Sequence, residues 1–121
     1  MTRARKMRLT DSRDFERVYR EGSVYRGRLL SVHAYPNGLE NPRLGLAVSK
    51  RVGSAVIRNK LRRRIREIFF WRRSRIDGKG YDLVVSARPA AASASFGELE
   101  DEFDRALEKL VNGTGEGRGD V

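Results

Sequence analysis

The segment from Ser49 to Arg73, SKRVGSAVIRNKLRRRIREIFFWRR, limits the possible folds more than any other part of the chain. It is dense in cations and yet carries an apolar stripe at helical spacing. At about 100° per residue, Ile57, Leu61, Ile65 and Ile68 share one side of a helix, with Phe69 and Trp71 at its margins. Arg58, Arg62, Arg73, Arg66, Asn59 and Arg63 follow one another around the opposite arc. A solvated basic tail has no use for such a stripe. The pattern calls for a helix docked on a core that leaves a ridge of guanidinium groups outside, the layout of a polyanion-binding surface. Arg64 is the exception, because it falls inside the apolar arc, and it is expected to snorkel to the edge of the core.

Charge points the same way. The 26 basic and 16 acidic residues leave a formal +10 on 121 residues, a length that suits one small core. From Arg43 to Arg75 there are twelve Lys or Arg and one acid, Glu67, whereas Ser95 to Val111 holds six acids and two cations. Such a positive face attracts phosphates and gives salt-dependent affinity through counterion release. Only five of the 26 cations are lysine, and the planar arginine fork suits a structured nucleic acid.

Several function classes drop out. With no cysteine there is no disulfide framework, thiolate zinc site or thiol nucleophile, which fits cytoplasmic residence. No apolar run is long enough to span a bilayer or serve as a secretion signal. There is no H-E-x-x-H, nucleophile elbow or P-loop lysine, so no small-molecule substrate is indicated. His33 alternates with apolar strand positions and reads as structural rather than as an acid–base catalyst. The acids of the last helix read as a solvated face.

The rest of the chain organises around the basic helix. Residues 1–8 read as a flexible basic arm, 9–111 as a single α+β domain, and 112–121 as a disordered Gly-rich tail. Asp11 or Ser12 caps a first helix that ends near Gly22 and carries Phe15, Val18 and Tyr19 on one side. Alternating residues around Leu30, Val32 and Ala34, a turn rich in Pro, Asn and Gly, and then Leu44 to Val48 read as strands joined by a hairpin. Ser54 is placed to cap the basic helix, and Asp77, Gly78 and Gly80 close the connection after it. Tyr81 to Ala87 is another strand. Ser95 and Glu98 form a capping box for a last helix with Leu99, Phe103, Leu107 and Leu110 inward. The expected class is α+β, a single-layer sheet of about four strands packed with helices in the order αβββαβα.

The stretch RLGLAVSKRVGSAVIRNKLRRRIRE resembles the signature of the bacterial ribonuclease P protein family, whose RNR motif has the form R-N-[KR]-x-[KR]-R-x-x-R. Arg58, Asn59, Lys60, Arg62, Arg63 and Arg66 fill every specified place. The similarity extends to Asp14-Phe15 and Val18-Tyr19, to Gly45 through Ser49 with Lys50 after it, and to Tyr81-Asp82 leading into Arg88-Pro89. It covers roughly Leu9 to Leu110.

The resemblance implies a ribosomal-protein-like fold with a left-handed βαβ crossover, against the usual hand. It also implies a protein subunit of ribonuclease P that binds a catalytic RNA subunit and the 5′ leader of precursor tRNA, in a holoenzyme that removes the leader. The active site then belongs to the RNA. No residue of this chain is assigned a catalytic role, and the protein itself holds no cofactor, Mg²⁺ being held by the RNA. Arg58, Lys60, Arg62, Arg63 and Arg66 are the expected phosphate contacts, with Asn59 fixing the helix start or neighbouring loop. Phe15, Tyr19 and, by strand register, Val32 are expected to line a leader cleft, joined by Lys50, Arg51 and Arg88 at strand ends. Two other classes compete: a general RNA-binding or ribosomal-type protein, and a nuclease acting without RNA.

Overall fold

Each of the three long helices begins at a side-chain cap, worth about 1 kcal/mol apiece. Helix α1 (Ser12–Glu21) starts where the Asp11 carboxylate accepts from the Arg13 amide at 2.8 Å, and it stops at Gly22. Helix α2 (Ala55–Arg72) starts at Ser54, whose hydroxyl accepts from the Ile57 amide. Helix α3 (Phe96–Leu107) opens with both halves of the Ser95–Glu98 capping box, at 3.1 and 2.9 Å. These elements come from a computed structural model that describes residues 8–73, 76 and 80–112. Residues 1–7 of the arm expected over 1–8, Asp77 and Gly78 of the connection, and residues 113–121 of the tail expected over 112–121 lie outside the described residues.

Four strands, β1 (Ser23–Arg26), β2 (Leu30–Pro36), β3 (Arg43–Ala47) and β4 (Tyr81–Ala87), form one sheet in the order β1-β2-β4-β3. The first two pairings are antiparallel and β3–β4 is parallel. The hairpin expected between the second and third strands is therefore absent: β4 lies between them. Its Leu83-Val84-Val85 run is apolar on both faces and fully buried, which suits a central strand better than an edge. Helix α2 is the crossover of the resulting β3-α2-β4 unit.

Helices cover both faces of the sheet. On one, Leu30, Val32, Ala34, Leu44, Leu83 and Val85 meet Leu61, Ile65, Ile68 and Phe69 of α2 and Leu99, Phe103 and Leu107 of α3. Phe69 belongs to this core rather than to the margin of the stripe, while Trp71 is exposed. On the other face, α1 lays Val18 beside Leu9 and Val84, with Phe15 and Tyr35 packed against them. Leu9 reaches this position because its amide donates to the Leu44 carbonyl at 2.9 Å, and Arg8 forms a bridge to Leu44 along the free edge of β3.

Two buried carboxylates lock the frame. Asp82 on β4 accepts from Arg43 on β3 and from the Asn37 side chain in the β2–β3 connection. Glu102 of α3 accepts from the amides of Leu29 and Leu30 at 2.9 and 2.6 Å, closing the end of the β1–β2 hairpin. Glu100 and Asp104 bind Arg72, joining α3 to the end of α2. The acids of the last helix are thus not a solvated face: three of them tie elements together. No helix among the described residues is long and apolar enough to cross a membrane.

Candidate nucleic-acid interface

The outer arc of α2 carries the RNR residues, and they divide into two groups. Lys60, Arg63 and Arg66 are exposed, and Arg62 is half-buried with its Nη1 donating to Asn59 Oδ1 at 2.9 Å. Arg58 sits at the inner margin, where its Nε donates to the Gly53 carbonyl at 3.2 Å. The loop-fixing role expected of Asn59 is therefore filled by Arg58, and Asn59 instead orients Arg62. Arg64 behaves as the wheel required, since its stem lies at the core edge and its Nη1 donates to the Ala94 carbonyl at 3.3 Å.

Cations left without acids make an anion site. Arg43 takes Asp14 and Asp82, and Arg72 takes Glu100 and Asp104. Lys60, Arg62, Arg63 and Arg66 have no ion-pair partner among the described residues. Partial loss of hydration, and then the like charges of Arg8 and Arg62, push the Arg66 guanidinium below its ordinary pKa. It remains charged at neutral pH, so an anion placed there would relieve that repulsion.

On the opposite face, α1 and the sheet bound an aromatic cleft. The Phe15 ring lies on the backbone of Gly45, where a Cβ would stand 2.5 Å from its Cζ, so only glycine admits the ring. Phe15 and Tyr19 follow at one-turn spacing with centroids 6.5 Å apart, and Tyr19 is 42% exposed. Tyr19 also packs edge-on against His33 at 4.8 Å, and its hydroxyl lies 3.3 Å from Ser86 Oγ. Burial, and then Arg26, hold the His33 imidazole below its ordinary pKa, and its Nδ1 is buried without a hydrogen-bond partner.

Val32 does not belong to this cleft. It is 0% exposed in the core beneath α2 and α3, because adjacent strand residues point to opposite faces and His33 takes the cleft side. His33 and Ser86 are the cleft residues that the sequence did not single out. The alternation of His33 with Val32 and Ala34 was the available signal, but it does not say which face receives α1.

Lys50, Arg51 and Arg88 are all exposed. The parallel register, with Ala47 beside Ser86, brings the ends of β3 and β4 together, so these three cations gather at the end of the sheet where Tyr19 meets Ser86. A groove of about 280 Å³ lined by Arg8, Phe15, Leu44, Leu46, Arg62 and Arg66 runs around the β3 edge. It connects the aromatic cleft to the cationic ridge. Among the described residues no group of three or more His, Asp or Glu is placed to hold a metal ion.

A model of the family described as Ribonuclease P matches residues 4–111. The chain is similar to the ribonuclease P protein component of Acidothermus cellulolyticus, with 42% identity over 106 residues that cover 86% of this chain and 88% of that one. Among solved structures it is similar to a mutant Staphylococcus aureus RNase P protein with defective mRNA degradation activity, at 32% identity and a TM-score of 0.82, covering 88% of this chain and 90% of that one. It is similar also to the Thermotoga maritima RNase P protein in complex with 1-(4-fluorophenyl)-2-thiourea, at 32% identity and a TM-score of 0.74, covering 81% and 94%.

Proposed function

The chain belongs to the ribonuclease P protein family, and from that membership we propose how its surface is divided between two RNA ligands. It is the protein component of the ribonuclease P ribonucleoprotein, an endoribonuclease of tRNA 5′ processing, and its partner is the RNA subunit. Lys60, Arg62, Arg63 and Arg66 contact backbone phosphates of that RNA, while Arg58 and Asn59 hold the helix start and Arg62 in position. Phe15, Tyr19 and His33 receive the single-stranded leader of precursor tRNA. Aromatic faces stack on unpaired bases with little demand on sequence, as a variable leader requires. Lys50, Arg51 and Arg88 meet the leader phosphates at the cleft's end.

No residue of this chain performs the cleavage. Catalytic Mg²⁺ is held by the RNA subunit, and the protein binds neither membrane nor small-molecule substrate and works in the cytoplasm. What it contributes is electrostatic: cations beside an anionic RNA lower the concentration of metal needed to fold and load it.

One observation supports this reading above the rest. A helix anchored by buried apolar residues carries four cations unpaired among the described residues, and a groove links them to an aromatic cleft. The test is cleavage of precursor tRNA by protein alone, by a bacterial ribonuclease P RNA alone, and by both. The protein alone is expected to be inactive, and to lower the magnesium requirement when added to the RNA. Cleavage by RNA-free protein would overturn the reading, as would RNA binding without any stimulation.

A further inference from the structure

Two aromatic side chains stand in solvent at the C-terminal end of α2: Trp71 is 65% exposed and Phe70 is 47% exposed. They are ordered against each other. Their rings meet edge to face, with centroids 5.4 Å apart and planes at 83°. The Arg73 guanidinium lies over the Phe70 ring, 4.7 Å from its centroid. The core of α2 is already complete without them, since Leu61, Ile65, Ile68 and Phe69 fill its buried side. Any polar helix former would serve at 70 and 71 for folding alone.

The surroundings say what these rings face. Phe70 follows Arg63 and Arg66 at i+7 and i+4, so it lies on the same ridge as the cations, and Trp71, which follows Arg64 and Glu67 at the same spacings, stands beside that ridge. From Arg66 to Trp71 is about 7.5 Å along the helix axis. A second copy of the chain docked here would bring two such cationic ridges together, on a protein of net charge +10. An unpaired nucleobase suits the site better, because it offers a flat π face to the rings and phosphates to the guanidinium groups.

We propose that Trp71, braced by Phe70 and flanked by Arg73, is a stacking platform for an unpaired base of the RNA subunit, beside the far end of the RNR ridge. The inference rests on the reading of that ridge as the RNA-subunit contact, and adds to it a base-contacting element at the far end of the helix. Arg73, held over Phe70, is placed to meet a phosphate beside the stacked base.

The chain has a single tryptophan, so Trp71 reports on its own site. The full-length protein is titrated with its ribonuclease P RNA, and separately with inorganic polyphosphate, which carries the charge without bases. The RNA is expected to quench Trp71 emission saturably and the polyphosphate to leave it unchanged. Trp71→Ala should weaken RNA-subunit binding about tenfold without changing the salt slope, since the charge is unaltered, and Trp71→Phe should restore most of the affinity. Phe70→Ala provides a second variant, expected to weaken binding in the same direction.

Emission that stays constant at RNA saturation would overturn the platform, as would equal quenching by polyphosphate or unchanged affinity of Trp71→Ala. A dimer abolished by Trp71→Ala, with RNA affinity intact, would assign the rings to self-association and overturn it too. A silent Trp71 in a protein that still binds RNA through Arg62, Arg63 and Arg66 removes the platform alone. Failure of the wild-type protein to bind the RNA subunit removes the ridge reading as well.

Discussion

Arg43 and Asp82 are register partners across the parallel β3–β4 pair, and the guanidinium Nε and Nη2 each donate to a different carboxylate oxygen at 2.8 Å. This bond, the largest cause, raises the Arg43 pKa above its ordinary value. A parallel pair closed by a long crossover has no tight turn to fix its register. A bidentate bond at the start of both strands supplies that constraint.

Asp82→Ala removes the bidentate acceptor of the half-buried Arg43 guanidinium, leaving it only the longer Asp14 contact, and takes one of the two acceptors of the Asn37 side-chain amide. It should destabilise the protein by about 3 kcal/mol or more, measured as the shift in urea midpoint at constant m. Asp82→Asn, which keeps the shape and one acceptor, should cost less. Equal destabilisation in the two variants would show that volume rather than pairing matters here.

The His33 imidazole titrates below its ordinary value of 6.5 in the folded protein, first because it is buried and then because Arg26 is near. The unfolded chain therefore binds this proton more readily, so the contribution is fully present above about pH 6.5. It is lost as pH falls through the lower folded value. Urea midpoints measured from pH 7.5 to 5 should fall, and His33→Gln should reduce that fall. Identical profiles for the two proteins would remove His33 as a source.

Replacing Arg62, Arg63 and Arg66 by alanine should reduce the log–log salt slope of RNA-subunit affinity by about 0.7 to 0.9 for each phosphate that is no longer neutralised. Filter binding between 50 and 400 mM salt reads this directly, at roughly the range where counterion release dominates. Arg58→Ala should instead act mainly on stability, since its Nε holds the Gly53 carbonyl at the helix start. A slope unchanged by the triple substitution would end the phosphate-contact reading.

Gly45→Ala places a methyl where the Phe15 ring now lies, and so displaces the ring from the cleft floor. It should weaken binding of leader-bearing precursor tRNA by about tenfold, as Phe15→Ala should, while mature tRNA is little affected. Equal weakening on precursor and mature tRNA would assign Phe15 to packing alone.

The helices were legible because their signals are local. Asp11, Ser54 and the Ser95–Glu98 pair cap where their types and spacing indicate, and the stripe through Leu61 and Ile68 faces the core. The RNR ridge followed from the same periodicity. Strand placement did not, because β4 enters between β2 and β3 only after the crossover has formed, and nothing within Leu30 to Val48 encodes that insertion. Val32 and His33 show the same limit: period-2 alternation separates two faces without saying which one meets α1. Glu102 escaped notice because it looked like one more acid in an acidic helix. Its partners are backbone amides some 70 residues away, with no side-chain signature.

Arg72 clasps the far end of helix α2 to Glu100 and Asp104 of α3. The groove lined by Phe15, Arg62 and Arg66 includes Leu44 and Leu46 of β3, so among the described residues the ridge and the cleft are set against one strand. In the function proposed above, that shared strand would serve as a jig, with the spacing between anchorage and leader built into the fold. How far upstream of the cut a substrate is gripped would then be a length set by a four-stranded sheet.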